Sequence, residues 1–245
     1  MKIAESAARA GARHIIRHAA AFRKVKRHIS RDVKVAADQQ AEDVICALLH
    51  RSTGLRILAE ERGEYPARRV GDDCYWVVDP LDGSLNFSRH IPLNCISIAL
   101  WKDDRPLLGV VFDFNRGEMF SGIVKRGAWL NGVRIRVSRI DEKSRSVLCT
   151  GFPAATTFTD KAIAGFVRGV MEYKKIRLLG SAALSLAYVA AGRVEAYREN
   201  DIKLWDVGAG LALVLAAGGA VIMRPSKKKN ALRVLATNGK IKDEI

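Results

Sequence analysis

The run Trp76-Val77-Val78, ending on Asp79-Pro80-Leu81-Asp82-Gly83-Ser84, constrains this chain more than any other stretch. Residues 75–78 read as a buried strand, and it ends on two carboxylates three residues apart. Pro80 removes a backbone donor and fixes its own φ, and Gly83 permits a sharp turn. A loop built this way can bring Asp79 and Asp82 to one point. Ser84 then opens a short helix, where free N–H groups favour a phosphate. Oxygen ligands beside a phosphate suit Mg²⁺ better than zinc. An Asp-Pro turn followed by a helix cap explains the same residues equally well, so a metal site needs further acids.

Candidates lie on both sides. Ala41, Val44, Ile45, Leu48 and Leu49 mark the apolar stripe of a helix preceded by Asp32 and Asp38. Asp38 suits the cap of that helix and Glu42 its first turn, which leaves Asp32 without a structural role. A short strand over 55–59 stops at Glu60-Glu61, the place where strands of α/β proteins present site residues, and near enough to Asp79 for neighbouring strands in one sheet. Asp206 follows Trp205 at the start of a small, apolar helix over 207–217; taken alone it is a first-turn or capping acid.

The remaining pattern divides the chain. An amphipathic helix is expected over 2–21, followed by a basic loop. Strand-like runs over 93–101, 107–114 and 119–124, broken by Asp103-Asp104 and Asn115-Arg116-Gly117, predict an antiparallel meander, and Asn131-Gly132 predicts a tight hairpin. From about Ile140 strands and helices alternate instead. The expected units are therefore 1–140, an α+β half built on an antiparallel sheet, and 141–245, an α/β half carrying Asp206 and a turn at Lys227-Lys228-Lys229.

Of 245 residues 49% are hydrophobic, enough for a sizeable core, and the formal net charge is +15. Arg9, Arg13, Arg17, Arg23, Lys24, Lys26, Arg27 and Arg31 meet no acid between them, yet Phe22 is the only aromatic among them. A stacking surface for single strands is missing, which argues against nucleic acid and leaves a basic nucleic-acid-binding protein as the alternative class. Neither a signal-like apolar region nor an eighteen-residue apolar span is present, so a cytoplasmic protein with no membrane partner is expected. Cys46, Cys74, Cys95 and Cys149 form no C-x-x-C pair and read as small buried residues.

Asp32, Asp38, Glu60-Glu61, Asp79-Pro80-Leu81-Asp82-Gly83-Ser84 and Trp205-Asp206-x-x-Ala209-Gly210, in that order, resemble the inositol monophosphatase superfamily. These Mg²⁺-dependent phosphomonoesterases include archaeal-type fructose-1,6-bisphosphatases and nucleotide 3′-phosphatases. The resemblance implies an α+β fold, a layered αβαβα sandwich, which agrees with the two textures above. It also implies a homodimer and two to three Mg²⁺ ions per site. Glu60, Asp79 and the Leu81 carbonyl would hold the first ion and Asp79, Asp82 and Asp206 the second, with Glu60 also near a weaker third. Asp38 and Ser84 match the pair that orients the attacking water, serine standing where threonine is usual. Gly83 and Ser84 N–H groups would bind phosphate. No protein nucleophile is required. Ala59 replaces a common glycine and Val35 a threonine, neither of them a ligand, and Lys26 lies in the segment that would assist the third ion.

Glu199 and the loop Gly180-Ser181-Ala182 match residues that line the inositol pocket. A carboxylate accepts from polyol hydroxyls and repels a second phosphate. Arg177, Arg198 and Lys203 could instead serve the far phosphate of fructose 1,6-bisphosphate. The expected substrate is inositol 1-phosphate, a small phosphorylated polyol; fructose 1,6-bisphosphate as a second or main substrate, and then a nucleotide 3′-phosphate, are the alternatives.

Overall fold

The computed structural model describes residues 1–19, 25–29, 32–68, 73–152, 159–226 and 231–244, with backbone alone at 25–29, 32–37, 161 and 162. In chain order the elements are α1 (Lys2–Arg17), β1 (Val25–Ile29), β2 (Asp32–Val35), α2 (Ala36–Thr53), β3 (Arg56–Ala59), β4 (Gly63–Tyr65), β5 (Cys74–Asp82) and α3 (Ser84–Ser88). The meander β6 (Cys95–Lys102), β7 (Arg105–Asp113), β8 (Glu118–Ile123), β9 (Gly127–Leu130) and β10 (Val133–Ile135) follows. The last part comprises β11 (Val147–Thr150), α4 (Asp160–Met171), β12 (Lys175–Arg177), α5 (Ala182–Ala190), β13 (Ala196–Ile202), α6 (Leu204–Ala216), β14 (Ala220–Pro225) and β15 (Leu232–Thr237).

β5 is buried on both faces, so each face needs a covering layer. Trp76 and Val78 pack with Ala4, Ala8, Ile15, Ile45 and Leu49 of α1 and α2. Tyr75 and Val77, on the opposite face, join Leu184, Leu186, Leu211 and Leu213 of α5 and α6. These strands belong to an eight-stranded sheet ordered β10-β9-β8-β7-β6-β5-β3-β4, antiparallel except for β3 beside β5. A five-stranded sheet, β12-β11-β13-β15-β14, closes the other side of α5 and α6: its Cys149 and Tyr197 face them, while Leu148 and Ala196 face Val170 of α4. The layers run α-β-α-β-α, the expected α+β sandwich. Among the described residues no helix is long and apolar enough to cross a membrane.

Asn131 and Gly132 both take positive φ, 50° and 83°, as the tight hairpin between β9 and β10 demands. Four local expectations change. The basic segment is not all loop: β1 and β2 pair antiparallel, with Ile29 opposite Asp32, because Val25, Ile29, Val33 and Val35 favour strand beneath the charge. α2 begins at Ala36, which makes Asp38 its third residue rather than its cap. β5 continues through Pro80 to Asp82 with a shift of register against β6. Cys46, Cys95 and Cys149 are buried, but Cys74 is only half-buried. The turn expected at Lys227-Lys228-Lys229, the Lys26 side chain and that of Asp32 lie outside the described residues.

Candidate active site

In a regular strand Asp79 and Asp82, three residues apart, would point to opposite faces. The irregularity between them, at Pro80, removes that alternation. Both carboxylates therefore line one cavity of about 370 Å³, together with Glu60, Ser84, Glu199 and Asp206. β3 delivers Glu60 because it runs parallel to β5 and stops alongside Val78. α6 delivers Asp206 from its first turn, where Oδ2 accepts the Lys203 N–H at 3.1 Å.

One carboxylate oxygen from each of Glu60, Asp79 and Asp206 lies within 4.8 Å of the others. Asp79 is 1% exposed, and its Oδ1 accepts the Leu81 N–H at 2.9 Å, which fixes the carboxylate. Asp82 is held differently. Its Oδ2 accepts the Ser181 hydroxyl and the Ala183 N–H (2.8 Å), both at the start of α5, and the Cys95 thiol lies 3.8 Å away. Asp82 thus borders the trio while anchored to the central helix layer.

Burial, then the charges of Glu60, Asp82 and Asp206, holds the Asp79 carboxyl well above the ordinary range. Asp206 is raised likewise by burial, Glu60 and Asp82. Burial also pushes Asp82 up to about 6, against hydrogen bonds from Ser181 and Ala183. Such crowding is costly unless a cation shares the site. Every side-chain donor is a hard oxygen, without histidine or thiolate in the trio, and the set fits a hard divalent ion such as Mg²⁺.

Ser84 Oγ is 3.0 Å from Asp38 Oδ1 and 2.9 Å from the Leu81 carbonyl oxygen, two acceptors for its single proton. Asp38 is buried on α2, so the pair links the outer helix layer to the mouth of α3. Gly83 (φ 88°) precedes that helix and leaves no room for a side chain: a Cβ would come within 2.7 Å of the Leu93 carbonyl oxygen.

At the far wall Glu199 is 9% exposed and its Oε2 accepts the Tyr197 hydroxyl at 2.8 Å. Burial pushes its carboxyl up to about 7; the Tyr197 hydrogen bond opposes this and the charge of Asp82 adds to it. Ala182, first residue of α5, lines the same wall. Of the three cations considered for a second phosphate, Lys203 alone is among the cavity-lining residues. Arg198 pairs with Asp243 at 3.3 Å, and exposed Arg177 donates to the carbonyl of Ile176. Three residues of this wall and mouth carry no sequence signal. Gly151 backs Glu199 so closely that a Cβ would lie 2.5 Å from Oε2. Asn86 Nδ2 donates to Leu93 (2.7 Å) and Leu179 (2.8 Å), tying α3 to the loop before α5, and Tyr197 orients Glu199.

Residues 1–244 match the model of the inositol monophosphatase family. The chain belongs to this family. The inositol-1-monophosphatase of Synechocystis is 38% identical over 218 residues, covering 87% of this chain and 75% of that protein. The Nus factor SuhB of Escherichia coli K12 is 40% identical over 198 residues, 78% of this chain and 72% of its own length. The solved structure of the inositol monophosphatase of Anabaena superposes with a TM-score of 0.83 at 36% identity, over 98% of this chain and 90% of that one. Family membership and relatives so named identify the chain as a phosphatase.

Proposed function

We propose that this phosphatase hydrolyses inositol 1-phosphate with Mg²⁺ held by Glu60, Asp79, Asp82, Asp206 and the Leu81 carbonyl. The observation that carries the reading is the trio of carboxylate oxygens within 4.8 Å, sharing a cavity with buried Glu199. When bound, Mg²⁺ would offset the clustered charge and polarise the phosphate oxygens. Ser84, when it donates to Asp38, keeps oxygen lone pairs with which it can accept one proton of a water molecule. That water is thereby oriented with an oxygen lone pair free to attack phosphorus. As the new P–O bond forms, the water's proton passes through Ser84 towards Asp38 while the ester P–O bond breaks on the opposite side. The leaving alkoxide takes a proton from solvent to become the alcohol, and Asp38 returns its proton to solvent. The N–H groups of Gly83 and Ser84, at the entrance of α3, are suited to hold a phosphate oxygen.

Glu199 supports a polyol, since its carboxylate accepts hydroxyl protons and repels a second phosphate. Only one of the three candidate cations lines the cavity, which weighs further against a bisphosphate. Phosphate release should therefore be faster from inositol 1-phosphate than from fructose 1,6-bisphosphate. Glu199→Gln should raise KM for the inositol ester by roughly tenfold, the worth of one hydrogen bond to a charged group. Faster release from the bisphosphate, with Glu199→Gln unchanged on the inositol ester, would reverse the assignment. A homodimer in the cytoplasm belongs to the same reading. The net charge of +15 keeps a basic nucleic-acid-binding protein as the alternative class; such binding would fall steeply with salt and survive a chelator.

A further inference from the structure

Glu42 lies one turn after Asp38 on α2 and is 0% exposed. Its carboxylate is satisfied from outside its own helix. Oε2 accepts the Glu61 N–H at 2.7 Å; Oε1 accepts the Arg62 N–H at 3.0 Å and the Tyr65 hydroxyl at 3.2 Å. All three donors belong to the turn and strand that follow Glu60. On its other side Glu60 is pinned to β5, donating its own N–H to the Val78 carbonyl at 3.2 Å.

We propose that Glu42 is a positioning residue for the reaction: it clamps the Glu61-Arg62 turn and so fixes Glu60 towards Asp79 and Asp206. Burying a carboxylate is unfavourable unless its lone pairs are occupied, and an apolar side chain would fill the same space without that cost. What the carboxylate adds is two oxygens that bridge successive backbone N–H groups, a geometry no apolar group supplies. The same face of α2 then serves both sides of the site, Asp38 through Ser84 and Glu42 through the turn after Glu60. Conversely, a turn released from Glu42 would loosen the backbone that directly follows Glu60.

The inference rests on the metal reading above, and Mn²⁺ binding to the full chain, followed by electron paramagnetic resonance, separates the two. Glu42→Gln keeps the shape but replaces one acceptor with an amide, and should weaken the tightest Mn²⁺ site by about tenfold, the usual scale for residues that orient ligands. Glu42→Asp keeps the charge, shortens its reach and should give an intermediate loss, readable even if the glutamine variant does not fold. Tyr65→Phe, which leaves both backbone bonds, should bind as the wild type does. In a Glu60→Gln background Glu42→Gln should cost nothing more, because it acts through Glu60. Wild-type affinity in Glu42→Gln and Glu42→Asp, or an equal loss with and without Glu60, would overturn the positioning role. Absence of Mn²⁺ binding by the wild type would overturn the metal reading and this inference with it.

Discussion

Asp79→Asn is expected to lower kcat for phosphate release by about a thousandfold, the upper scale for removing one electrostatic stabiliser. It should nevertheless make the metal-free protein more stable at neutral pH. Asp79 belongs to the trio and also borders Asp82, so its loss removes the acid common to both proposed ions. The stability effect follows from the sign of its pKa shift. Burial first, then Glu60, Asp82 and Asp206, raises the folded-state value above the unfolded one. A carboxyl shifted this way contributes stability that is complete below its unfolded pKa of about 4 and is lost as pH rises through the folded value. Asp82 at about 6 and Glu199 at about 7 carry the window up to neutrality. Thermal midpoints with chelator should therefore fall between about pH 4 and pH 7 in the wild type, and less steeply in Asp79→Asn. Mg²⁺ should restore the wild type far more than the variant. A variant less stable than the metal-free wild type at pH 7 would show that charge crowding is not what strains the site.

Gly109→Ala should produce the largest loss of stability. β7 passes directly beneath α6, and a Cβ on Gly109 would overlap the Ala209 carbonyl oxygen and sit 2.9 Å from its carbon. Those are backbone atoms, so relief requires the helix or strand to move rather than a side chain to turn. The expected cost is about 3 kcal/mol, the upper range for an overpacked core. At this chain length that is a fall in Tm of roughly 6–12 °C. Because Asp206 stands one turn before Ala209 on the same helix, Mg²⁺ affinity should weaken as well. Gly117→Ala provides the contrast: its φ of 66° strains an alanine, but nothing lies within 4 Å of the new Cβ. A smaller loss is expected there, about 1 kcal/mol. A Tm for Gly109→Ala within 2 °C of the wild type, roughly 1 kcal/mol at this size, would contradict the close approach of helix and strand.

These effects differ in how far they can be read from the letters. The acids were legible because each stands where an apolar run stops, Glu60 after β3, Asp79 after Val78 and Asp206 before the small-residue helix. The layered order came from the resemblance to the family, with which the antiparallel first half and alternating second half agreed; the doubly buried β5 is its physical reason. The irregularity of β5 was not, since Pro80 suggests a turn as readily as a break of register within a strand. The β1–β2 pairing was hidden by charge, which says where residues are solvated but little about backbone conformation. Glu42 gave only a helix-dipole signal because its partners are N–H groups of a distant turn, and backbone donors leave no letter to match. Arg177 shows what charge alone does not encode. Its charge suited a phosphate, but β12 is an edge strand of the small sheet and holds the side chain exposed rather than in the cavity lining.

The most direct test is phosphate release from inositol 1-phosphate by the wild type as Mg²⁺ is titrated into chelator-treated protein. The rate should rise from background, saturate with Mg²⁺ and return to background on adding excess chelator. Release at full rate in the chelator, with no response to Mg²⁺, would contradict a site built on Glu60, Asp79, Asp82 and Asp206.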